Sequence, residues 1–290
     1  MKHLSLVICS ILFTLAMAAN LFAGDYAELK ILGFSADGRY LAFEEAGEWD
    51  VHSGGDYATT YFVDVAKNIY AAAPSVYSFS ENDERHTGRF SQAAQMRRYK
   101  LSVAAGMKRF KIVRGNLGRL VAAHLETDHS FEKPVMKETE IAQSDGSVIK
   151  KMMPFYEGDS LLPEEYNANK IIFNPLNYPV NPADEKFYEL ELKQNPSGKS
   201  CEVRGVEADA SMIELTLQEI DHYSESPLRI LQKDNFLPEA RNCPYAYNIE
   251  QVYLYKDNLA VFLDVYTMGF PGSTRRYMVV TGALDDEGVE

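Results

Sequence analysis

Regular alternation of apolar and polar residues constrains the fold of this 290-residue chain more than any other feature. Residues 186–194, 212–220 and 259–265 each place apolar side chains at every second position, which is the period of a β-strand with one buried face. Polar residues between them are typical of antiparallel sheets that leave one face in water. The sequence therefore predicts a mainly β (α+β) protein built from antiparallel hairpins and meanders.

Turn signals place two hairpins at the ends of this pattern. Asp37 and Gly38 lie between apolar runs, which is typical of a tight hairpin turn. Residues 269–272, Gly-Phe-Pro-Gly, connect the strand at 259–265 to a returning strand at 276–281. A polar stretch at 47–59 is predicted to be a long loop. Weaker strand predictions cover three further segments, residues 118–125, 148–153 and 249–255.

One segment breaks the β pattern. In residues 82–113, large apolar side chains recur at spacings of three and four, namely Met96, Tyr99, Val103, Met107 and Phe110. That spacing forms one apolar stripe on an α-helix. We therefore expect one long helix, packed on the sheets through this stripe.

The charge around this helix is segregated from the rest of the chain. Residues 85–119 contain ten bases and no Asp or Glu, whereas the whole chain has a net charge of −13. The bases are Arg85, Arg89, Arg97, Arg98, Lys100, Lys108, Arg109, Lys111, Arg114 and Arg119. Two interpretations stay open: a positive surface for an anionic envelope polymer, a lipid headgroup or an acidic protein, or a helix neutralised by acidic strands of its own sheet.

On the first interpretation, Arg97, Arg98, Lys108 and Arg109 are the candidate anion-binding residues. The acidic balance of the whole chain argues against generic binding of nucleic acid, because it repels a phosphate backbone.

The N-terminal 23 residues have the pattern of an export signal. Lys2 and His3 precede an uncharged apolar run at 4–19, and small residues follow before Gly24. We expect residues 1–23 to be a cleaved signal peptide and 24–290 to be a single mainly β domain with a helical insertion at about 82–113. No later stretch has 18 consecutive apolar residues, so no membrane span is expected after cleavage. The predicted location is periplasmic or extracellular.

Two cysteines remain after the predicted cleavage. In an oxidising compartment Cys201 and Cys243 can form a disulfide, and the alternative is two buried thiols. The histidines are scattered, so no metal site is predicted.

Motifs of known catalytic chemistry are missing from the sequence. We find no nucleophile elbow, zinc-protease helix, phosphate-binding loop or dinucleotide fingerprint, and no cofactor is predicted. Glu44 and Glu45 are the acids most worth attention, although we expect them to edge a solvated strand.

Aromatic residues in two polar segments form a candidate loop site. Trp49 and His52 lie in the predicted loop at 47–59, and Tyr156 and Tyr178 lie in a proline-rich segment at 152–182. Rigid turns of this composition present aromatic faces to sugars or peptides. The same composition is also typical of a long loop that covers a core.

Two resemblances to known families add to this reading. Residues 34–43 followed by 61–64 resemble one blade of the TolB-type propeller, in a single copy. Residues 116–119, 241–245 and 269–272, with the blade-like start, resemble a family of predicted secreted bacterial proteins, domain-of-unknown-function family 2259. That resemblance implies export and supplies no catalytic residue.

We therefore predict an exported cell-envelope protein that acts as a non-enzymatic binding or interaction module. The alternative is an envelope hydrolase acting on glycans or peptides, with acids and a histidine assembled from distant strands. A third possibility is a structural envelope protein without a small ligand.

Overall fold

The computed structural model describes residues 26–48, 55–80, 91–124, 135–142, 148–155, 169–175, 186–203, 206–220, 226–268 and 273–284. The chain forms two compact units. The larger combines residues 1–123 with 169–290, and the smaller comprises residues 124–168.

The N-terminal sheet is antiparallel and has five strands: β1 (Glu28–Phe34), β2 (Tyr40–Glu48), β3 (Gly55–Asp64), β4 (Ile69–Tyr70) and β5 (Ser75–Ser80). The predicted turn at Asp37 is confirmed, since the Ser35 hydroxyl donates to its carboxylate and Gly38 has φ +81°. The predicted loop at 47–59 is shorter than expected. Strands β2 and β3 continue to pair as far as Glu48 and Asp56, and β5 pairs with the other edge of this part of β3, so backbone hydrogen bonding extends the strands into polar sequence.

The helix α1 (Gln92–Arg109) is followed by strand β6 (Arg119–Ala123). Ser91 caps its N-terminus by accepting a hydrogen bond from the Ala94 N–H at 3.4 Å. Two residues past the helix, Lys111 has φ +53°, a left-handed conformation that ends the helix before the predicted residue 113. The predicted start at 82 lies outside the described residues.

The smaller unit contains an antiparallel hairpin of β7 (Val135–Ala142) and β8 (Val148–Phe155). The predicted strand at 148–153 therefore lies within β8.

Two further sheets complete the larger unit. The long-strand sheet has the order β12-β11-β10-β9, with β9 (Lys170–Phe173), β10 (Phe187–Val203), β11 (Val206–Ile220) and β12 (Arg229–Lys233). The central sheet has the order β15-β14-β13-β6, with β13 (Pro244–Tyr255), β14 (Asn258–Met268) and β15 (Ser273–Ala283). The prediction of a mainly β protein with antiparallel strands and one helix is confirmed for the described residues.

Strand β14 lies at the centre of the larger unit and is buried on both faces. On one face, Phe262 contacts Phe43 of the N-terminal sheet, with ring centres 5.3 Å apart. On the other face, Leu263 joins the cluster that contains Leu190 and Leu215 of the long-strand sheet. The layers therefore follow the order helix, N-terminal sheet, central sheet and long-strand sheet.

One asparagine connects all three of these sheets. The Asn68 side chain, in the β3–β4 turn, donates to Gln232 Oε1 on β12 at 2.9 Å. Its Oδ1 accepts a hydrogen bond from the Thr281 N–H on β15 at 2.8 Å. Asn68 has φ +52°, which asparagine tolerates better than most residues.

A disulfide joins the long-strand sheet to the central sheet. Cys201, near the end of β10, is bonded to Cys243, which precedes β13, and their Cα atoms are 6.2 Å apart. The predicted pairing is therefore confirmed. The Gln194 side chain strengthens the same junction, because it both donates to the Tyr247 carbonyl and accepts from its N–H, each at 2.9 Å.

Arg241, in the segment before β13, also has a structural role. Its guanidinium donates to both carboxylate oxygens of Asp234, whose side chain is 2% exposed. Asp234 Oδ2 in turn accepts a hydrogen bond from the Ile213 N–H at 3.0 Å. This charge-assisted pair fastens the connection between β12 and β13 onto β11.

Candidate functional site

The outward side of helix α1 carries the predicted anion-binding residues. Arg97, Arg98, Lys108 and Arg109 are exposed, and Leu101 between them is 62% exposed. Arg97 and Lys108 are eleven positions apart, so they project from the same side about 16 Å apart along the helix axis. We call these five residues the basic helix face.

The opposite side of the helix packs on the N-terminal sheet. Tyr99, Val103 and Phe110 are buried in one cluster with Phe62. Gly106 approaches the Phe62 ring so closely that a Cβ at this position would collide with it. The missing side chain therefore lets the helix backbone lie directly against the ring.

A polar contact fixes the rotation of the helix. The Tyr99 hydroxyl donates to Glu44 Oε2 at 2.5 Å and lies 2.7 Å from Thr60 Oγ1. Burial, together with the hydrogen bond to Glu44, raises the pKa of Tyr99 well above its ordinary value. The hydroxyl therefore stays protonated and keeps donating, and the basic helix face stays directed outward.

Four bases of this helix lie apart from the described acids. No described Asp or Glu lies within 4.0 Å of the charged groups of Arg97, Lys100, Lys108 or Arg109. The Arg109 guanidinium lies over the Phe110 ring instead, 5.0 Å from its centre. Lys108 and Arg109 occupy the last helical turn, where the helix dipole favours positive charge.

A groove of about 570 Å³ lies beyond the C-terminal end of the helix. Its walls are residues 115–119, which lead into β6, and residues 254–256 at the β13–β14 turn. Among the described residues that line it, Arg119 and Lys256 carry charge, and none has a carboxylate or an imidazole. We call it the basic groove.

Backbone geometry gives the basic groove its shape. Gly118 has φ +71°, and a Cβ there would lie 2.8 Å from the Leu254 carbonyl oxygen. A larger residue would therefore be strained and would push the two walls apart. The same wall is fixed to β1, because the Phe34 N–H donates to the Asn116 carbonyl at 2.8 Å.

A second cavity, of about 520 Å³, lies where the three sheets of the larger unit meet. Its bases are Lys67 and Arg229, and both have partners. Lys67 pairs with Asp64 at 3.7 Å, and Arg229 donates to the Ala283 and Leu284 carbonyls. These bases serve the junction between the sheets.

Glu45 lies on the opposite face of β2 from Glu44 and is 5% exposed. It accepts hydrogen bonds from the Tyr61 hydroxyl at 2.7 Å and from the Tyr277 N–H at 3.1 Å. The prediction that it edges a solvated strand is wrong, because the central sheet covers this face of β2. Burial and the Glu45 charge raise the pKa of the Tyr61 hydroxyl above its ordinary value. Both acids therefore act as acceptors for tyrosine hydroxyls.

The predicted loop site cannot be placed in the fold. Trp49, His52, Tyr156 and Tyr178 all lie outside the described residues. Within the described ranges, no group of three or more His, Cys, Asp or Glu side chains is arranged to hold a metal ion. None of the described helices combines the length and apolar character needed to cross a membrane.

Lys256 is the residue of this region that sequence reasoning missed. It lies in the turn between β13 and β14, 137 positions from Arg119 in the chain. The two meet because β6 pairs with β13, with Arg119 opposite Leu254. The weak strand predictions at 118–125 and 249–255 were the available signal, but they did not show that these strands are neighbours.

Comparison with known protein families gives a match over most of the chain. The family model described as "Predicted secreted protein (DUF2259)" matches residues 42–283, which include helix α1 and both walls of the basic groove. No curated protein and no solved structure matches the chain. The family description agrees with the predicted export, so the localisation is secreted. With this match over most of its length, the chain belongs to the DUF2259 family of predicted secreted proteins.

Proposed function

We propose that this secreted protein is a non-enzymatic binding module that docks on an anionic polymer of the cell envelope through its basic helix face. One observation carries the proposal: Arg97, Lys108 and Arg109 are exposed, with no described acid within 4.0 Å of their charges. The chain as a whole has a net charge of −13. A polyanion is therefore repelled by most of the surface and attracted to this part of it.

The way the helix is held supports the same function. The Tyr99 hydrogen bond to Glu44 and the close approach of Gly106 to Phe62 fix the helix against the sheet. Bases on a fixed helix lose less conformational entropy on binding than bases on a flexible loop. Leu101, exposed among them, adds an apolar contact to the surface.

The described residues give less support to the hydrolase alternative. The basic groove is lined by neither a carboxylate nor a histidine, and Glu44 and Glu45 are occupied by tyrosine hydroxyls. Acid–base hydrolysis of a glycan needs a pair of carboxylates across the bond that is cut. The hydrolase, the structural role and the propeller-blade likeness of the first hairpin stay predictions.

The test is retention on dextran sulfate beads, compared with neutral dextran beads, over a salt gradient. The variant R97Q/K108Q removes two bases from the helix face. Its matched control, K193Q/K233Q, removes two bases that are paired with Glu191 and Glu214 on the long-strand sheet. Both variants change the net charge equally. We expect the helix variant to elute at lower salt and the control to elute with the unaltered protein.

Three results would overturn the proposal. The first is failure of the unaltered protein to bind dextran sulfate, which would leave an acidic protein as the candidate partner. The second is equal retention on neutral dextran. The third is an equal shift in both variants, which would show that net charge alone sets retention.

A further inference from the structure

We propose that the basic groove binds one acidic sugar unit, with the acid group on Arg119 and Lys256 and the sugar ring beside Leu117 and Tyr255. The proposal rests on the proposed function in one respect, namely that the polymer is anionic. The groove and the basic helix face share no residue, so each can be tested separately.

The charges of the groove point to an anionic ligand. Neither Arg119 nor Lys256 forms an ion pair with a described acid, and Lys256 Nζ lies 5.7 Å from the centre of the Tyr255 ring. Asp257 follows Lys256 in the turn but does not line the groove. A guanidinium matches the two oxygens of a carboxylate, and an ammonium adds a second charge with little geometric demand.

The uncharged lining points to a sugar rather than to a bare ion. Leu117 is 39% exposed, and the Tyr255 ring is held in place by stacking on Phe34 at 5.2 Å. The Asn116 side-chain amide donates to the Phe34 carbonyl at 3.3 Å, and the side-chain oxygen Oδ1 makes no hydrogen bond to a described residue. An acidic sugar offers an apolar ring face for Leu117 and Tyr255, hydroxyl donors for the Asn116 oxygen and an acid group for the two bases.

The size of the groove fits such a unit. Its volume of about 570 Å³ lies in the range of small-molecule sites, roughly 300–1,000 Å³. The second cavity is similar in size, at about 520 Å³, but it differs in its bases. Its bases Lys67 and Arg229 are already engaged by Asp64 and by backbone carbonyls. The basic groove therefore combines space with bases that no described acid neutralises.

The experiment is calorimetric titration of the full exported protein with trigalacturonic acid, with a neutral galactose trisaccharide and with inorganic phosphate. The variants are R119Q, K256Q and their combination, and the matched control is K67Q in the second cavity. We expect the acidic trisaccharide to bind more tightly than the other two probes. Each groove variant should weaken it about tenfold, as expected for loss of a charge-assisted hydrogen bond, and K67Q should leave it unchanged.

Several results would overturn the assignment. These are no binding of the acidic trisaccharide at millimolar concentration, equal binding of the neutral trisaccharide, phosphate binding as tight as that of the acidic sugar, or unchanged affinity in R119Q/K256Q. Thermal unfolding of each variant verifies that it is folded. If R119Q does not fold, K256Q alone still tests the assignment, because Lys256 lies in an exposed turn.

The helix variant R97Q/K108Q separates this proposal from the proposed function. We expect it to elute from dextran sulfate at lower salt yet to bind trigalacturonic acid as the unaltered protein does. If polymer retention is unchanged in that variant while the groove variants lose the trisaccharide, the helix proposal fails and the groove assignment stands. If the helix variant elutes at lower salt while R119Q/K256Q binds the trisaccharide as before, the groove assignment fails and the helix proposal stands.

Discussion

The bases on two surfaces of this protein differ in whether they are paired with acids. On the outer face of the long-strand sheet, lysines are paired with glutamates, as in Lys170–Glu189, Lys193–Glu191 and Lys233–Glu214. On helix α1, no described acid lies within 4.0 Å of Arg97, Lys100, Lys108 or Arg109. The chain has 42 acidic residues, so a shortage of acids does not explain the difference.

The physical reason lies in local geometry. On the sheet, Lys233 and Glu214 stand opposite each other on neighbouring strands, and Lys193 and Glu191 lie two positions apart on the same face of β10, so opposite charges pair at little cost. On a helix, the natural partners are three or four positions away, and α1 contains no Asp or Glu to fill those positions. The segregation of charge in the sequence therefore persists on the surface, where the helix carries bases without described acidic partners.

The largest change in stability is expected when the disulfide between the ion-paired sheet and the central sheet is removed. The variant C201S/C243S removes this disulfide and should lower the free energy of unfolding by about 4 kcal/mol, the loop-closure value for a bond of this separation. Denaturant unfolding measures the change. Salt elution from dextran sulfate should stay as before if the variant is folded, because the helix packs on another sheet. An unchanged unfolding midpoint would contradict the expectation.

A smaller effect should follow from loosening the helix. The variant Y99F removes the hydroxyl that donates to Glu44, and we expect a loss of about 2 kcal/mol, typical of a hydrogen bond to a charged group. Thermal or denaturant unfolding measures it. E44Q keeps an acceptor for the same hydroxyl and should cost less than Y99F. If Y99F were as stable as the unaltered protein, this contact would not hold the helix.

An acid introduced on the helix should pair with its bases, as the glutamates of the long-strand sheet pair with its lysines. The variant L101E places a carboxylate four positions after Arg97 and three after Arg98, where ion pairs on a helix contribute about 0.3 kcal/mol. We expect a lower elution salt on dextran sulfate with nearly unchanged stability. L101Q is the matched control for loss of the apolar side chain. Equal elution of L101E and L101Q would show that the helix charge does not govern retention.

The smallest effect concerns the paired surface itself. The hydrogen bond from Lys233, with its positive charge, lowers the pKa of Glu214 below its ordinary value of 4.5. Because this pKa is lowered by folding, the pair stabilises the protein above the ordinary pKa and stops doing so as pH falls through the lowered value. Carboxyl resonances followed by NMR should show that K233Q restores the pKa of Glu214. At this exposed pair the stability change should be slight.

Periodicity predicted the parts of the fold that depend on local order. The alternating segments 186–194, 212–220 and 259–265 lie in β10, β11 and β14, except for residue 186 just before β10, and the apolar stripe runs along α1 to its C-cap Phe110. Two local predictions were wrong because a local pattern does not reveal the partners of a segment. The polar stretch at 47–59 is partly strand because β2, β3 and β5 pair within one sheet, and Glu45 is buried because the central sheet covers it.

The sequence by itself determined the alternating strand segments, the helix with its apolar stripe, the ten bases without an acid at 85–119, and a pair of cysteines able to bond. These follow from the spacing and charge of residues close together in the chain. Only the tertiary structure decided which strands distant in the chain are neighbours, that Arg119 and Lys256 line one groove, and that Glu44 and Glu45 face different layers. Packing of distant segments sets those distances, and no short stretch of sequence contains that information.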